Sequence, residues 1–333
     1  NPANGVQVQY WLKNANQEVT ITVMDSAGNM IRAFTSRQDS AVAADSVRNE
    51  ARRPTRRDSL TRAGVASDSI PRILRRLEEE DDEPQVAGWG PKPPPRAANR
   101  RGVNTFAWDM RYPGPSAFRG MILWAAGGAA GPMAPPGRYQ VRLGGNGRTI
   151  GTESFRLLPD PRVKGVTLAD YGEQFRFLRR VANRFGESND AVKSIRFVKS
   201  EVDDRRGRLS GDLRSQFDAH ATRLVGEITS VEDSIYQTRS RSGQDPLNFP
   251  IRLNNKIGAL MGVAGNSAGR PTAQTYEVFN TLEAQLGREL TRMRQAFTQH
   301  LTPMNATLRQ AGLPEIVPRP VDVPAPVRPA VVP

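Results

Sequence analysis

The chain opens on a two-residue rhythm. Glu18-Val-Thr-Ile-Thr-Val-Met24 alternates apolar and polar side chains, which gives a strand one inward and one outward face. Val6–Leu12 is a second strand candidate. Asp25-Ser-Ala-Gly28 supplies a corner aspartate and a glycine for positive φ, so Asn29–Phe34 returns as a hairpin. The rhythm resumes in Gly102–Met110, in Gly137–Leu143 and, past the turn Gly144-Gly-Asn-Gly147, in Thr149–Leu157. Short strands separated by turns predict an immunoglobulin-like β-sandwich over 1–36 and 99–161, closed by Pro159-Asp-Pro161. From Thr167 the period is helical. Thr167 with Asp170 three residues on is an N-cap pattern. Leu168, Tyr171, Phe175, Leu178, Ala182, Phe185, Val192, Ile195, Val198 and Val202 form one stripe, with a gap after Phe185. A second helix carries Leu209, Leu213, Phe217, Leu224, Ile228, Val231 and Ile235. A short one is predicted over Ile251–Met261, and Gly265–Pro271 breaks the pattern. The last carries Tyr276, Phe279, Leu282, Leu286, Leu290, Met293, Phe297 and Leu301, with Pro303 a kink near its end. Residues 167–312 thus read as an antiparallel helical bundle. The fold class is α+β multidomain, an immunoglobulin-like β-sandwich followed by an antiparallel helical bundle.

Residues 37–98 break both rhythms. Bulky apolar residues are sparse, nine Arg fall between Arg48 and Arg76, and acids run unbroken from Glu78 to Glu83. A short helix around Ser69–Glu79 is predicted, with Ile70, Ile73, Leu74 and Leu77 on one face, and Gly90–Pro95 reads as extended. This is a charged flexible insertion into the β domain. Residues 313–333 form a Pro-rich extended tail.

Composition narrows the chemistry. The 333 residues suit two domains and a tail. The absence of cysteine excludes disulfides, thiolate metal sites and cysteine nucleophiles. The two histidines, His220 and His300, leave little room for a His-rich metal site or a Ser-His-Asp triad. Neither has a second His or a carboxylate at metal-binding spacing, so both read as packed or surface residues. No metal and no cofactor is expected. The net charge of +13 is spread, with +7 in residues 99–166 and +5 in 167–312, and Lys supplies only six of the 47 cations. No run approaches the ~20 apolar residues of a membrane span.

The remaining chemical signals have quiet readings. Asp203-Asp204 and Glu232-Asp233 are adjacent on predicted helices, where neighbours diverge, so they read as solvated faces and not as a glycosidase pair. Gly127-Gly-Ala-Ala-Gly131 and Gly144–Gly147 lack the strand-before, helix-after context of a phosphate loop and read as turns. Trp108, Tyr112, Phe118 and Trp124 are expected to pack the sandwich and its junction with the bundle. The Arg48–Arg76 stretch lacks interleaved aromatics, and the acidic run can neutralise it locally, which disfavours nucleic acid. Arg52, Arg53, Arg56, Arg57, Arg72, Arg75, Arg76 and Trp89 are instead candidate contacts to a protein partner.

Several segments, in this order, resemble the C-terminal region of bacterial exported sortilin-like or BNR-repeat propeller proteins, a group labelled glycosyl hydrolases. They are Val19–Phe34, Gly102-Val-Asn-Thr-Phe-Ala-Trp-Asp-Met-Arg-Tyr-Pro-Gly-Pro115, Pro135–Tyr139, Pro159–Arg162, Gln244-Asp-Pro-Leu-Asn-Phe-Pro-Ile-Arg-Leu-Asn-Asn-Lys256, Arg270–Thr272 and Ala311–Pro314. The propeller repeats are absent from the sequence, so no catalytic residue carries over. The resemblance implies a periplasmic or surface location and an accessory role. The expectation is a non-enzymatic scaffold subunit of a larger, possibly membrane-bound assembly. The alternative is an accessory module of a propeller-type hydrolase that binds glycan or positions a catalytic domain.

Overall fold

A computed structural model describes residues 5–37, 95–118, 120–126 and 130–319. The charged insertion almost entirely, its expected helix included, and the tail beyond 319 lie outside the described residues. Among the described residues the architecture is α+β, with two antiparallel sheets followed by four helices. Strand β1 (Val6–Leu12) pairs with β4 (Gly102–Trp108) as a two-stranded sheet. The other sheet has the order β3-β2-β5-β6, from β2 (Val19–Asp25), β3 (Met30–Thr35), β5 (Gly137–Gly145) and β6 (Arg148–Leu157). Alternation explains the pairing. Tyr10, Leu12, Phe106 and Trp108 from the small sheet meet Val19, Ile21, Val23, Ile31, Phe34 and Tyr139 from the large one in a single core. Trp108 is fully buried, its Nε1 donates to the Arg111 carbonyl at 3.2 Å, and its ring lies 5.9 Å from that of Tyr139.

The turns follow the predicted chemistry. Asp25 Oδ1 accepts from the backbone of Ala27 at 3.0 Å and of Asn29 at 2.9 Å, and Gly28 takes φ +82°. Asn146 (φ 49°) and Gly147 (φ 76°) make the β5–β6 hairpin, where two left-handed residues match the strand twist. The chain that leaves β3 is pinned beside the place where it returns. The Ala97 N–H donates to the Thr35 carbonyl at 3.2 Å, the Asn16 N–H to the Asn99 carbonyl at 2.8 Å, and the Tyr10 hydroxyl to the Ala98 carbonyl at 2.5 Å.

The helices are α1 (Leu168–Arg208), α2 (Gly211–Ile235), α3 (Leu253–Gly265) and α4 (Ala273–Gln310), with a 3₁₀ turn at Asp245–Leu247. Thr167 and Asp170 close the expected capping box. Helix α1 has 41 residues, about 60 Å at 1.5 Å each. It runs through the gap in its stripe without a break. Phe177, Phe185, Phe217, Ile228, Ile257, Phe279 and Leu286 are among the residues that fill the shared helical core. One expectation changes here. Leu168, counted on the buried stripe, is exposed. Helix α4 continues seven residues past Pro303 to Gln310. Proline there leaves the Gln299 carbonyl without its intrahelical donor, but Leu301, Met304 and Leu308 are buried and hold this end of the helix to the core. Among the described residues, no helix is long and apolar enough to cross a membrane.

Candidate functional site

The described parts of the segment from Asp109 to Pro136 leave the β unit, lie along α1 and α3, and return to β5. Its two arms are tied by a bridge between Arg111 and Met133 and by two hydrogen bonds. The Tyr112 N–H donates to the Pro132 carbonyl at 2.9 Å, and the Ala134 N–H to the Met110 carbonyl at 2.7 Å. Gly131 sits where only glycine fits, since a Cβ would lie 1.9 Å from the Tyr112 carbonyl oxygen. The segment then packs on one face of α1. The Tyr112 ring lies 4.6 Å from that of Phe175, and Gly186 lets the Ser116 backbone approach the helix closely.

What the sequence shows as a gap in the α1 stripe is the polar heart of this seam. Glu187, Ser188, Asn189 and Asp190 are all buried. The Ser116 hydroxyl donates to Asp190 Oδ1 at 2.5 Å and accepts from Lys193 Nζ at 2.6 Å, and Nζ lies 2.5 Å from the same carboxylate oxygen. Asn189 Nδ2 donates to the Ser116 carbonyl at 2.8 Å and, through its Oδ1, accepts from Asn254 Nδ2 at 3.2 Å. Asn255 clamps the loop at two points. Its Oδ1 accepts from the Trp124 N–H at 2.6 Å, and its Nδ2 donates to the Trp124 carbonyl at 2.7 Å. The Tyr236 hydroxyl accepts from the Ile122 N–H at 3.0 Å. Serine, lysine and aspartate are in mutual contact, and their hydrogen bonds fasten the loop to α1, each answering a polar group removed from water.

Among the described residues, several hollows border the seam. One, of about 780 Å³, lies between the end of β6, the loop and the facing parts of α1 and α3. Its wall includes Met133, Leu157, Leu158, Val163, Tyr171 and Phe175, and Leu158 (75% exposed) and Met133 (50%) stand out at it. A second, of about 300 Å³, is lined by Ile122, Trp124 and Gln244, and a third, of about 180 Å³, by Pro113–Ser116 and by Arg179 and Asn183 of α1.

The residues singled out from sequence distribute unevenly. Arg52, Arg53, Arg56, Arg57, Arg72, Arg75, Arg76 and Trp89 lie outside the described residues. Trp108, Tyr112 and Phe118 pack as expected, whereas Trp124 is 39% exposed. Asp203 is solvated, but Glu232 is not. It is buried, and its carboxylate takes Arg196 Nε and Lys199 Nζ, each at 2.7 Å, so the solvated reading fails for it. The histidines pack, and they do so against each other. They lie on α2 and α4, which pack together and bring His220 Nδ1 to 3.4 Å from His300 Nδ1, while His300 Nε2 lies 3.3 Å from Glu227 Oε1. A spacing rule cannot see this pair, because the two residues come from different helices. No group of three or more His, Asp or Glu suited to a metal occurs among the described residues. The seam was missed at the sequence level. Its only signals were the polar run Glu187–Asp190 in the gap of the α1 stripe and the paired amides Asn254-Asn255.

The chain matches no protein-family model, no curated protein and no solved structure.

Proposed function

We propose that the chain is a non-enzymatic structural and interaction protein, an extrinsic periplasmic or surface subunit of a larger, membrane-associated assembly. We read its β unit as an immunoglobulin-like sandwich and its helices as an antiparallel bundle, fastened into one docking body by the seam. The observation that carries the reading is the 780 Å³ cleft with aliphatic side chains, Leu158 and Met133, left in water at its wall. Exposed aliphatic groups gathered at a concave surface fit the covered core of a protein contact, where sugar sites present flat aromatic faces. The segments that resemble sortilin-like proteins support the same place, since Gly102–Pro115, Pro135–Tyr139 and Gln244–Lys256 all reach the seam. The test is isolation of the native protein from membranes in mild detergent, beside a Met133→Glu/Leu158→Glu variant. A stoichiometric partner that the variant loses while its circular dichroism stays unchanged is the expected result. A protein that runs alone, or occurs only within a longer chain with propeller repeats, overturns it.

One observation favours the second reading, an accessory glycan-binding module of a propeller-type hydrolase. Trp124 opens onto the 300 Å³ hollow beside Gln244, an aromatic face next to an amide. Saturable quenching of tryptophan fluorescence by oligosaccharides, lost in Trp124→Ala, would establish it.

A further inference from the structure

The cations that α1 tucks against the body of the protein have carboxylate partners. Arg184 is held by Glu187 and Glu283, Lys193 by Asp190, Arg196 and Lys199 by Glu232, and Arg205 by Glu201 and Asp204. Arg179 breaks the pattern. It is half-buried, its Nε is sealed from water, and it has no hydrogen-bond partner and no ion pair among the described residues. Burial pushes its guanidinium pKa down, and the Tyr112 hydroxyl is the one group that pulls the other way. A charge taken out of water without a counter-charge is costly. A fold retains such a charge most readily where a ligand supplies the missing partner.

The surroundings define that ligand. Arg179 and Asn183, one turn apart on the same face of α1, line the 180 Å³ hollow, and the backbone of Pro113-Gly-Pro-Ser116 forms its opposite wall. The guanidinium is held over the Tyr112 ring, 5.4 Å from its centroid. Two acids share the hollow, and both are engaged, Glu187 with Arg184 and Asp190 with Lys193 and Ser116. They leave room for one more negative charge opposite one unpaired cation, and they repel a dianion. The volume suits a short acid and falls below that of an ordinary drug-sized pocket. We propose that this hollow is a carboxylate-binding site, in which Arg179 takes the two oxygens as a planar fork and the Asn183 amide donates a further hydrogen bond. It shares no lining residue with the apolar cleft and stands independently of the partner reading.

Nuclear magnetic resonance of the full chain with ¹⁵N-labelled arginine tests it through the Arg179 Nε–Hε signal. Sodium acetate is titrated against sodium chloride at equal ionic strength, and in a parallel arm the blocked peptide N-acetyl-Gly-Glu-Gly-amide replaces acetate. A saturable displacement of the Arg179 signal is expected, several-fold weaker in Asn183→Ala. Acetate should also raise the melting temperature of the wild type and not that of Arg179→Met. Tighter binding of the peptide assigns the site to an acidic side chain of a polypeptide, and binding of acetate alone to a free acid. Both results uphold a carboxylate site. A signal that moves no more with either carboxylate than with chloride overturns the proposal, as does an acetate-dependent rise that survives in Arg179→Met. Should that variant fail to fold, the wild-type titration and Asn183→Ala still decide.

Discussion

The two-point clamp of Asn255 on Trp124 gives a sharp test of the seam. Asn255 is buried, and its amide presents one acceptor and one donor to the backbone of a single residue. Asn255→Asp keeps the shape. At neutral pH the introduced carboxylate still accepts from the Trp124 N–H, but it turns a second lone pair toward the Trp124 carbonyl. One hydrogen bond worth about 1 kcal/mol is lost, and an orphaned carbonyl with a desolvated charge adds about 2 more. A deficit of about 3 kcal/mol corresponds, at about 1.4 kcal/mol per pH unit, to an introduced carboxyl that titrates near 6 in the folded state and near 4 in the unfolded one. The sign follows. The neutral acid has the same donor and acceptor as the amide, so the variant matches wild type below about pH 4. It loses stability as the pH rises through about 6. Urea unfolding followed by tryptophan fluorescence at pH 4, 5.5 and 7, each against wild type, measures this difference. Asn255→Ala serves as the control, with a deficit of similar size at every pH. A deficit for Asn255→Asp that is absent at pH 7, or constant between pH 4 and 7, would refute the reasoning.

Three further outcomes are expected. The Thr167 hydroxyl and N–H and the Arg270 guanidinium hold the Asp170 carboxyl down to about 2, so its contribution is complete above about pH 4 and is lost as pH falls through 2. Amide exchange in the first turn of α1 should therefore accelerate over that window in wild type and show no such step in Asp170→Asn. Glu232→Gln strips the buried carboxylate from Arg196 and Lys199, whose side chains are 42% and 23% exposed, so water absorbs part of the loss. The cost should be about 2 kcal/mol in urea, and a cost below about 0.5 kcal/mol would show that the site is already wet. Gly131→Ala drives a methyl into the carbonyl oxygens of Tyr112 and Pro113, at 1.9 and 2.6 Å, and both are backbone atoms that cannot swing aside. A loss above about 3 kcal/mol, or failure to accumulate, is expected from thermal melts, and a wild-type melt would contradict the packing described here.

The elements were legible because each writes its period into a short stretch of chain. Alternation in Val19–Met24 and the stripe from Phe175 to Val202 are local facts, and so are the Asn146-Gly147 turn and the Thr167–Asp170 box. The seam was not legible, because its meaning lies in what meets across the fold. Glu187–Asp190 reads as a hole in an apolar stripe until Ser116 and Asn254 are laid against it. The His220–His300 contact joins two helices whose register depends on packing. Glu232 resembles any surface acid until Arg196 and Lys199 reach it from α1. Arg179 is informative only through the carboxylate that does not face it, and no pattern in a sequence records a missing neighbour.

The staple between Thr35 and Ala97 reaches further than its few hydrogen bonds. Because the chain departs from β3 and returns within hydrogen-bonding distance of the same strand, the sheet closes without reference to what lies between. The entropy of closing such an excursion grows only logarithmically, by about 0.6 kcal/mol for each doubling of its length. The cost of joining Arg37 to Pro95 therefore depends only weakly on how many residues connect them, and a change of that number by half or by double should shift the stability of the β unit by less than about 1 kcal/mol.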